Sequence, residues 1–344
     1  MTKSQKTNRN TLFSIVTITF FSFFCLIASE VVLRIVDFNY HFYPERVLHN
    51  RVPSTDVIKF FFLPDKDVLW LKKDWPALLE DARKDPPDIV FLGCSCTHNG
   101  KYPEYVKDLL EKRKEIKTVK ILNAGVIGWS SYQGLQLLKR EILDLKPKIV
   151  TIYFGWNDHW RGFGIEDKEI ANLNARWYRF IDNFKLAQLA SKAYVHAKYK
   201  NDLRIVRTRV TPEDFRKYLT EMVTLLKNDE IVPVLVTAPT SYFKKDELFT
   251  LAPRWAYDVS DIEPFHLRYA QIVRDVAKKQ EVILVDLLDS FNSRFSKKEL
   301  KRNYIPDAIH MNKNGDKLAA EEILKVLEES GALEVISKRG LESG

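Results

Sequence analysis

Residue types able to carry nucleophilic chemistry stand at four separate places in this sequence. The apolar run Asp88-Ile89-Val90-Phe91-Leu92 leads straight into Gly93-Cys94-Ser95-Cys96-Thr97. Near the C-terminus, Asp307-Ala308-Ile309-His310 precedes a final amphipathic segment. A hydroxyl at a sharp turn, a histidine to take its proton and a carboxylate to orient that histidine are the parts of an activated serine nucleophile. Two further pieces, Asn123-Ala124-Gly125 and Gly155-Trp156-Asn157-Asp158, each follow another apolar run. Taken singly, each has an ordinary explanation: Ser95 as a turn residue or N-cap, Asn157 as a loop residue bonding its own backbone, Asp307 as a helix-entry residue, His310 as a surface histidine. Taken in order they form a set.

The elements that must position this set alternate regularly. Strands are expected at Asp88–Leu92, Thr118–Leu122, Ile149–Phe154, Ile231–Val236 and Val282–Val285. Helices are expected at Tyr102–Arg113, with Pro103 near its start, and at Tyr132–Leu145, where Leu135, Leu138, Ile142 and Leu145 keep helical spacing. Further helices are expected at Pro212–Lys227, capped by Thr211 with Asp214 three residues on, at His266–Lys279 and at Asn314–Glu329. Short apolar strands alternating with amphipathic helices imply an α/β fold with a parallel sheet covered on both faces. Ligands bind such sheets at the carboxyl ends of the strands. Ser95, Gly125 and Asn157 follow the first three strands and His310 the fifth, so the topology delivers them to one edge.

Two segments interrupt the rhythm. The insertion 159–209 carries Trp160, Arg161, Phe163, Arg176, Trp177, Tyr178, Phe180 and Tyr194; the insertion 239–264 carries Tyr242, Phe243, Phe249, Trp255 and Tyr257. Long structured insertions at strand ends suit substrate walls or lids, or they pack on neighbouring segments. Residues 30–85 read as a juxtamembrane connector whose apolar runs at Phe60–Leu63 and Val68–Leu71 pack on the main domain. The tail, 331–344, is short and expected to fray.

The motifs resemble the SGNH (GDSL-like) hydrolase superfamily over residues 86–330. Gly93-Cys94-Ser95 is similar to its first block, Gly125 to the second, Gly155-Trp156-Asn157-Asp158 to the third (GxND) and Asp307-Ala308-Ile309-His310 to the last (DxxH). The resemblance implies a three-layer α/β/α, flavodoxin-like fold with a five-stranded, mainly parallel sheet. It also implies a serine esterase or acylhydrolase without a cofactor. Ser95, His310 and Asp307 would be catalytic, and Ser95, Gly125 and Asn157 would form the oxyanion hole. The sequence departs from the family at Cys94, where aspartate is usual. That departure admits Cys94 or Cys96 as a rival nucleophile. His98, His159 and Asp158 lie beside the motifs without metal-ligand spacing. Trp129 and Trp156 suit the core or a sugar-stacking platform equally. Acyl transfer to a sugar hydroxyl, and a silent glycan-binding or assembly role, are the alternative functions.

Composition sets the compartment. The chain has 344 residues, 45% hydrophobic and 12% aromatic, and a net charge of +8 without a dense basic run, which gives nucleic-acid binding little support. Thr11–Ser29 is uncharged, and Lys3, Lys6 and Arg9 lie only on its N-terminal side. Nineteen helical residues span roughly 28 Å, close to a bilayer's hydrocarbon thickness. Residues 11–29 are therefore expected to be an uncleaved transmembrane signal-anchor, with residues 1–10 cytoplasmic and everything after it outside the inner membrane. A cleaved signal peptide is the rival, but Leu26-Ile27-Ala28-Ser29 is a poor cleavage site. The expected partners are thus the membrane and an acyl-ester substrate, a glycan or lipid of the cell envelope. The three cysteines make no disulfide scaffold, and a Cys94–Cys96 bridge would be strained.

Overall fold

Apolar runs too short to bury themselves pair side by side in this protein and are then covered by helices. The computed structural model describes residues 3–38, 62–65, 67–113, 116, 118–160, 166–172, 183–199, 208–242 and 262–337. In chain order its elements are α1 (Lys3–Ile35), β1 (Phe62–Asp65), β2 (Leu69–Lys72), α2 (Trp75–Lys84), β3 (Ile89–Gly93), α3 (Ser95–His98) and α4 (Tyr102–Glu111). They continue with β4 (Ile121–Gly125), α5 (Ser131–Leu137), β5 (Ile149–Tyr153), α6 (Asp167–Asn172), α7 (Lys185–Tyr199), α8 (Pro212–Asn228) and β6 (Val232–Val236). The last are α9 (Ile262–Gln280), β7 (Ile283–Val285), α10 (Leu287–Arg294), α11 (Lys297–Asn303), α12 (Lys313–Glu329) and α13 (Glu334–Ser337).

The main sheet has five strands in the order β4-β3-β5-β6-β7, and every neighbouring pair is parallel. That is the flavodoxin-like winding, with its switch point between β3 and β5. β3 and β5 are buried along their whole length, as parallel strands covered on both faces must be. α4 and α12 pack together on one face; α8 packs with α5 and α9 on the other. The register decides where the site lies. Gly93 pairs with both Gly125 and Tyr153, so β3, β4 and β5 end in one row and their following loops leave the sheet side by side.

Helix ends follow the local signals. Thr211 Oγ1 accepts the Asp214 N–H at 3.2 Å with Pro212 opening α8, and Asn312 Oδ1 accepts two N–H groups at the start of α12. Two segments differ from expectation. The second strand lies at Ile121–Gly125 rather than 118–122. The expected helix 132–145 is α-helical only to Leu137, then passes through a π turn (Leu138–Ile142) and a 3-10 turn (Leu143–Leu145). Its apolar stripe is still buried at Leu135, Leu138, Ile142 and Leu145.

Part of the connector lies within the described residues. β1 and β2 form an antiparallel hairpin, and α2 buries Trp75, Leu79 and Ala82 against the domain. At the other end, Ala332 and Ile336 are buried, and residues 338–344 of the expected tail lie outside the described residues. α1 contains a 24-residue stretch, Leu12–Ile35, of mean hydropathy 2.2, long and apolar enough to cross a membrane. Its far end meets α7, where Glu30 accepts the Lys185 and Leu186 N–H groups and Arg34 donates to Asn183 O. Of the insertion residues, Arg161, Phe163, Arg176, Trp177, Tyr178, Phe180, Phe243, Phe249, Trp255 and Tyr257 lie outside the described residues.

Candidate active site

The turn after β3 has no room to wander, because α3 starts two residues beyond the strand. Cys94 is its N-cap in an extended conformation and Ser95 its first residue. Asn123 ties this turn to the next strand. Its Nδ2 donates to Thr97 O at 2.8 Å and its Oδ1 accepts the Gly125 N–H at 3.0 Å.

Ser95 Oγ lies 2.9 Å from His310 Nε2, and His310 Nδ1 lies 2.7 Å from Asp307 Oδ2. With Nδ1–H donating to the carboxylate, Nε2 is the acceptor for the serine proton. Asp307 also accepts the Ile309 and His310 N–H groups, which folds the carboxylate back over its own loop. Ala308 in that turn has φ of +73°, a conformation a non-glycine residue seldom adopts. The loop is pinned from two sides: Thr240 Oγ1 donates to Ala308 O at 2.8 Å and Cys96 Sγ lies 3.7 Å from Ile309 O. Burial opposes a charged His310 imidazole, but the Asp307 hydrogen bond and charge outweigh it and raise its pKa. Burial likewise disfavours the Asp307 charge, and the bonds from His310 and Ile309 more than offset it, so that carboxyl titrates low.

A cavity of about 140 Å³ opens beside Ser95, lined by Ile127, Gly128, Trp156, Asn157, Trp160 and His310 among others. Asn157 is buried, and one of its amide hydrogens goes to Trp129 O at 2.9 Å, which aims the other. The loop beneath it is held by Asp158, which accepts from the Ser131 N–H and hydroxyl and from the Gly155 N–H. Burial, only partly offset by those donors, pushes the Asp158 carboxyl up to about 6.

Gly125, the glycine singled out from the sequence, is not brought into this cavity. It is the last residue of β4, its N–H is taken by Asn123, and a Cβ there would sit 2.4 Å from His98 N. It is a glycine so that α3 can lie against the strand. Gly128, three residues on, lines the cavity with a φ of +77°. Its N–H has no acceptor among the described residues. The strand boundary accounts for this placement. With β4 ending at Gly125 rather than before it, the loop glycine is the next one.

Other candidates separate. Ser95 faces the cavity, whereas Cys94 and Cys96 are buried beside it and do not line it. That placement does not favour a cysteine nucleophile. His98 Nδ1 lies 3.2 Å from Gly125 O, and His159 Nε2 lies 3.3 Å from His266 Nδ1, so His98, His159 and Asp158 each engage different groups. Trp129 is core, donating to Trp70 O; Trp156 is buried, stacks on His266 at 4.0 Å and also walls the cavity.

A family model and several solved structures resemble this chain. The family model described as GDSL-like lipase/acylhydrolase matches residues 89–318. Among solved structures, a lipase/acylhydrolase from Enterococcus faecalis is similar at 18% identity, covering 70% of this chain and 95% of that one, with a TM-score of 0.47. A GDSL-like lipase from Bacteroides thetaiotaomicron is 15% identical over 75% of this chain and 97% of its own, also at 0.47. An acetylxylan esterase from Geobacillus stearothermophilus is 16% identical over 70% and 94%, again at 0.47. No curated protein sequence matches.

Proposed function

This chain belongs to the GDSL-like lipase/acylhydrolase family, and from that premise we propose that it is a serine esterase held at the outer face of the inner membrane by α1. The observation that carries the reading is the continuous relay Asp307–His310–Ser95, at 2.7 Å and 2.9 Å, opening on a walled cavity. Ser95 Oγ attacks the ester carbonyl carbon while His310 Nε2 takes its proton. The Ser95 and Gly128 N–H groups and the second Asn157 amide hydrogen receive the oxyanion. His310 then returns its proton to the leaving alkoxide. Water, activated by the same imidazole, releases the acid from the acyl-enzyme.

The cavity volume is of the order of the ~150 Å³ that holds one benzene ring, which suits a short acyl group better than a fatty chain. We assign the acyl carrier to an envelope glycan or lipid, because Lys3, Lys6 and Arg9 all precede the uncharged run Thr11–Ser29, an arrangement that favours sending the domain outward. The test is hydrolysis of a short-chain aryl acetate together with fluorophosphonate labelling, with Ser95→Ala as control. Turnover and labelling, both lost in the variant, are expected. Labelling without turnover would redirect the reading to acyl transfer, and neither signal from folded protein would remove the esterase.

A further inference from the structure

A backbone oxyanion donor is only as fixed as its peptide plane. In a trans peptide the C=O and N–H point in opposite directions, so holding one aims the other. The peptide that presents the Gly128 N–H is the one whose carbonyl belongs to Ile127. That carbonyl accepts from Trp70 Nε1 at 3.0 Å. The following carbonyl, Gly128 O, accepts from Arg209 Nη1 at 2.6 Å. Both peptides flanking the cavity glycine are therefore gripped by side chains from distant segments.

The two gripping residues are themselves held. Trp70 is buried in β2, its own carbonyl accepts from Trp129 Nε1 at 2.9 Å, and the Arg209 guanidinium lies 5.9 Å from its ring centroid. Arg209 is 1% exposed, bonded to Asp167 Oδ2 at 2.7 Å and to Gln133 Oε1 at 3.0 Å. Gln133 Nε2 in turn reaches Val68 O in the hairpin. Trp70 lies outside the residues matched by the family model, and Arg209 lies at the far end of the long insertion.

We propose that Trp70 and Arg209 are positioning residues that preorganise the Gly128 N–H for the oxyanion. The hairpin that follows the anchor helix is then a working part of the active site. The inference rests on the esterase reading above.

The test is Trp70→Phe, and β-(3-benzothienyl)alanine at the same position, in full-length protein in detergent. Both keep an aromatic ring and delete the N–H. Removing a whole oxyanion donor costs about 100- to 1000-fold; loosening one should cost roughly 10- to 100-fold in kcat for an aryl acetate, with KM and Tm little changed. Affinity for a trifluoromethyl ketone should fall by a similar factor. Ser95 Oγ adds to that ketone's carbonyl carbon, the π pair moves to oxygen and the proton goes to His310, so binding reads the oxyanion site directly. Arg209→Lys should move the same two quantities in the same direction. Unchanged kcat and ketone affinity in a folded benzothienyl variant of an active enzyme would overturn this inference alone. So would a kcat loss with ketone affinity intact. A wild type inert to ester and fluorophosphonate would sink the esterase reading, and this inference with it.

Discussion

At the scale of residues, the working unit is a histidine whose proton affinity is set by one carboxylate. The raised pKa of His310 means that its neutral, proton-accepting form dominates only above the ordinary histidine range, near 6.5. The kcat/KM for ester hydrolysis is therefore expected to climb with pH through a value above that range. Asp307→Asn removes the charge that raises it, so the climb should move to lower pH while the plateau drops by about 10⁴-fold; a pH–rate profile of the two proteins checks both. The two glycines should separate cleanly. Gly125→Ala drives a Cβ to 2.4 Å from the His98 backbone nitrogen, so α3 must shift, and lower Tm and lower turnover are expected together. Gly128→Ala meets a φ of +77°, a strain of about 1–2 kcal/mol, and should depress kcat more than Tm. Ser95 and Asn157 could be picked out because each stands in a polar turn straight after an apolar strand, and Asp307 and His310 because they pair within one short motif ahead of the last helix. Choosing between two glycines in Asn123–Gly128 was not possible, because it depended on where a strand ends, and hydrogen-bonding partners set that end.

At the scale of elements, the turn that carries Gly128 is tied to a desolvated ion pair through Arg209. Arg209 and Asp167 are 1% and 0% exposed at their side chains and close the ends of the long insertion onto α5. Removing one member leaves the other charge buried, at a cost of about 3–5 kcal/mol. Asp167→Ala should shift the denaturation midpoint accordingly, and Asp167→Ala/Arg209→Met should recover part of the loss, measured in urea. The strands and most helices were readable from period and capping signals. The hairpin β1–β2 was not, because Phe62–Asp65 and Leu69–Lys72 have four residues each and no alternation to separate a strand from an apolar loop. Nor was the partnership of Asp167 with Arg209, since nothing in a sequence couples residues at opposite ends of an insertion.

At the scale of the whole molecule, α1 runs without a break from Lys3 to Ile35, through the Leu26–Ser29 stretch where cleavage would occur, and ends bonded to α7 by Glu30 and Arg34. Because Leu26-Ile27-Ala28-Ser29 is a poor cleavage site, the mature protein is expected to keep this helix: an intact mass should include residues 11–29, and alkaline carbonate should leave it in the membrane. A mass beginning after Ser29 would show a cleaved signal instead. The sequence by itself determined the class of fold, the apolar helix, the order of the motifs and the edge at which they meet. These follow from local periodicity, from charge placement and from the rule that parallel strands point one way. Only the tertiary structure decided that Gly128 rather than Gly125 reaches the cavity, that Ser95 and His310 stand 2.9 Å apart, and that Trp70 of the β1–β2 hairpin bonds the Ile127 carbonyl. Those are matters of register and of contacts between segments far apart in the chain, which packing alone fixes.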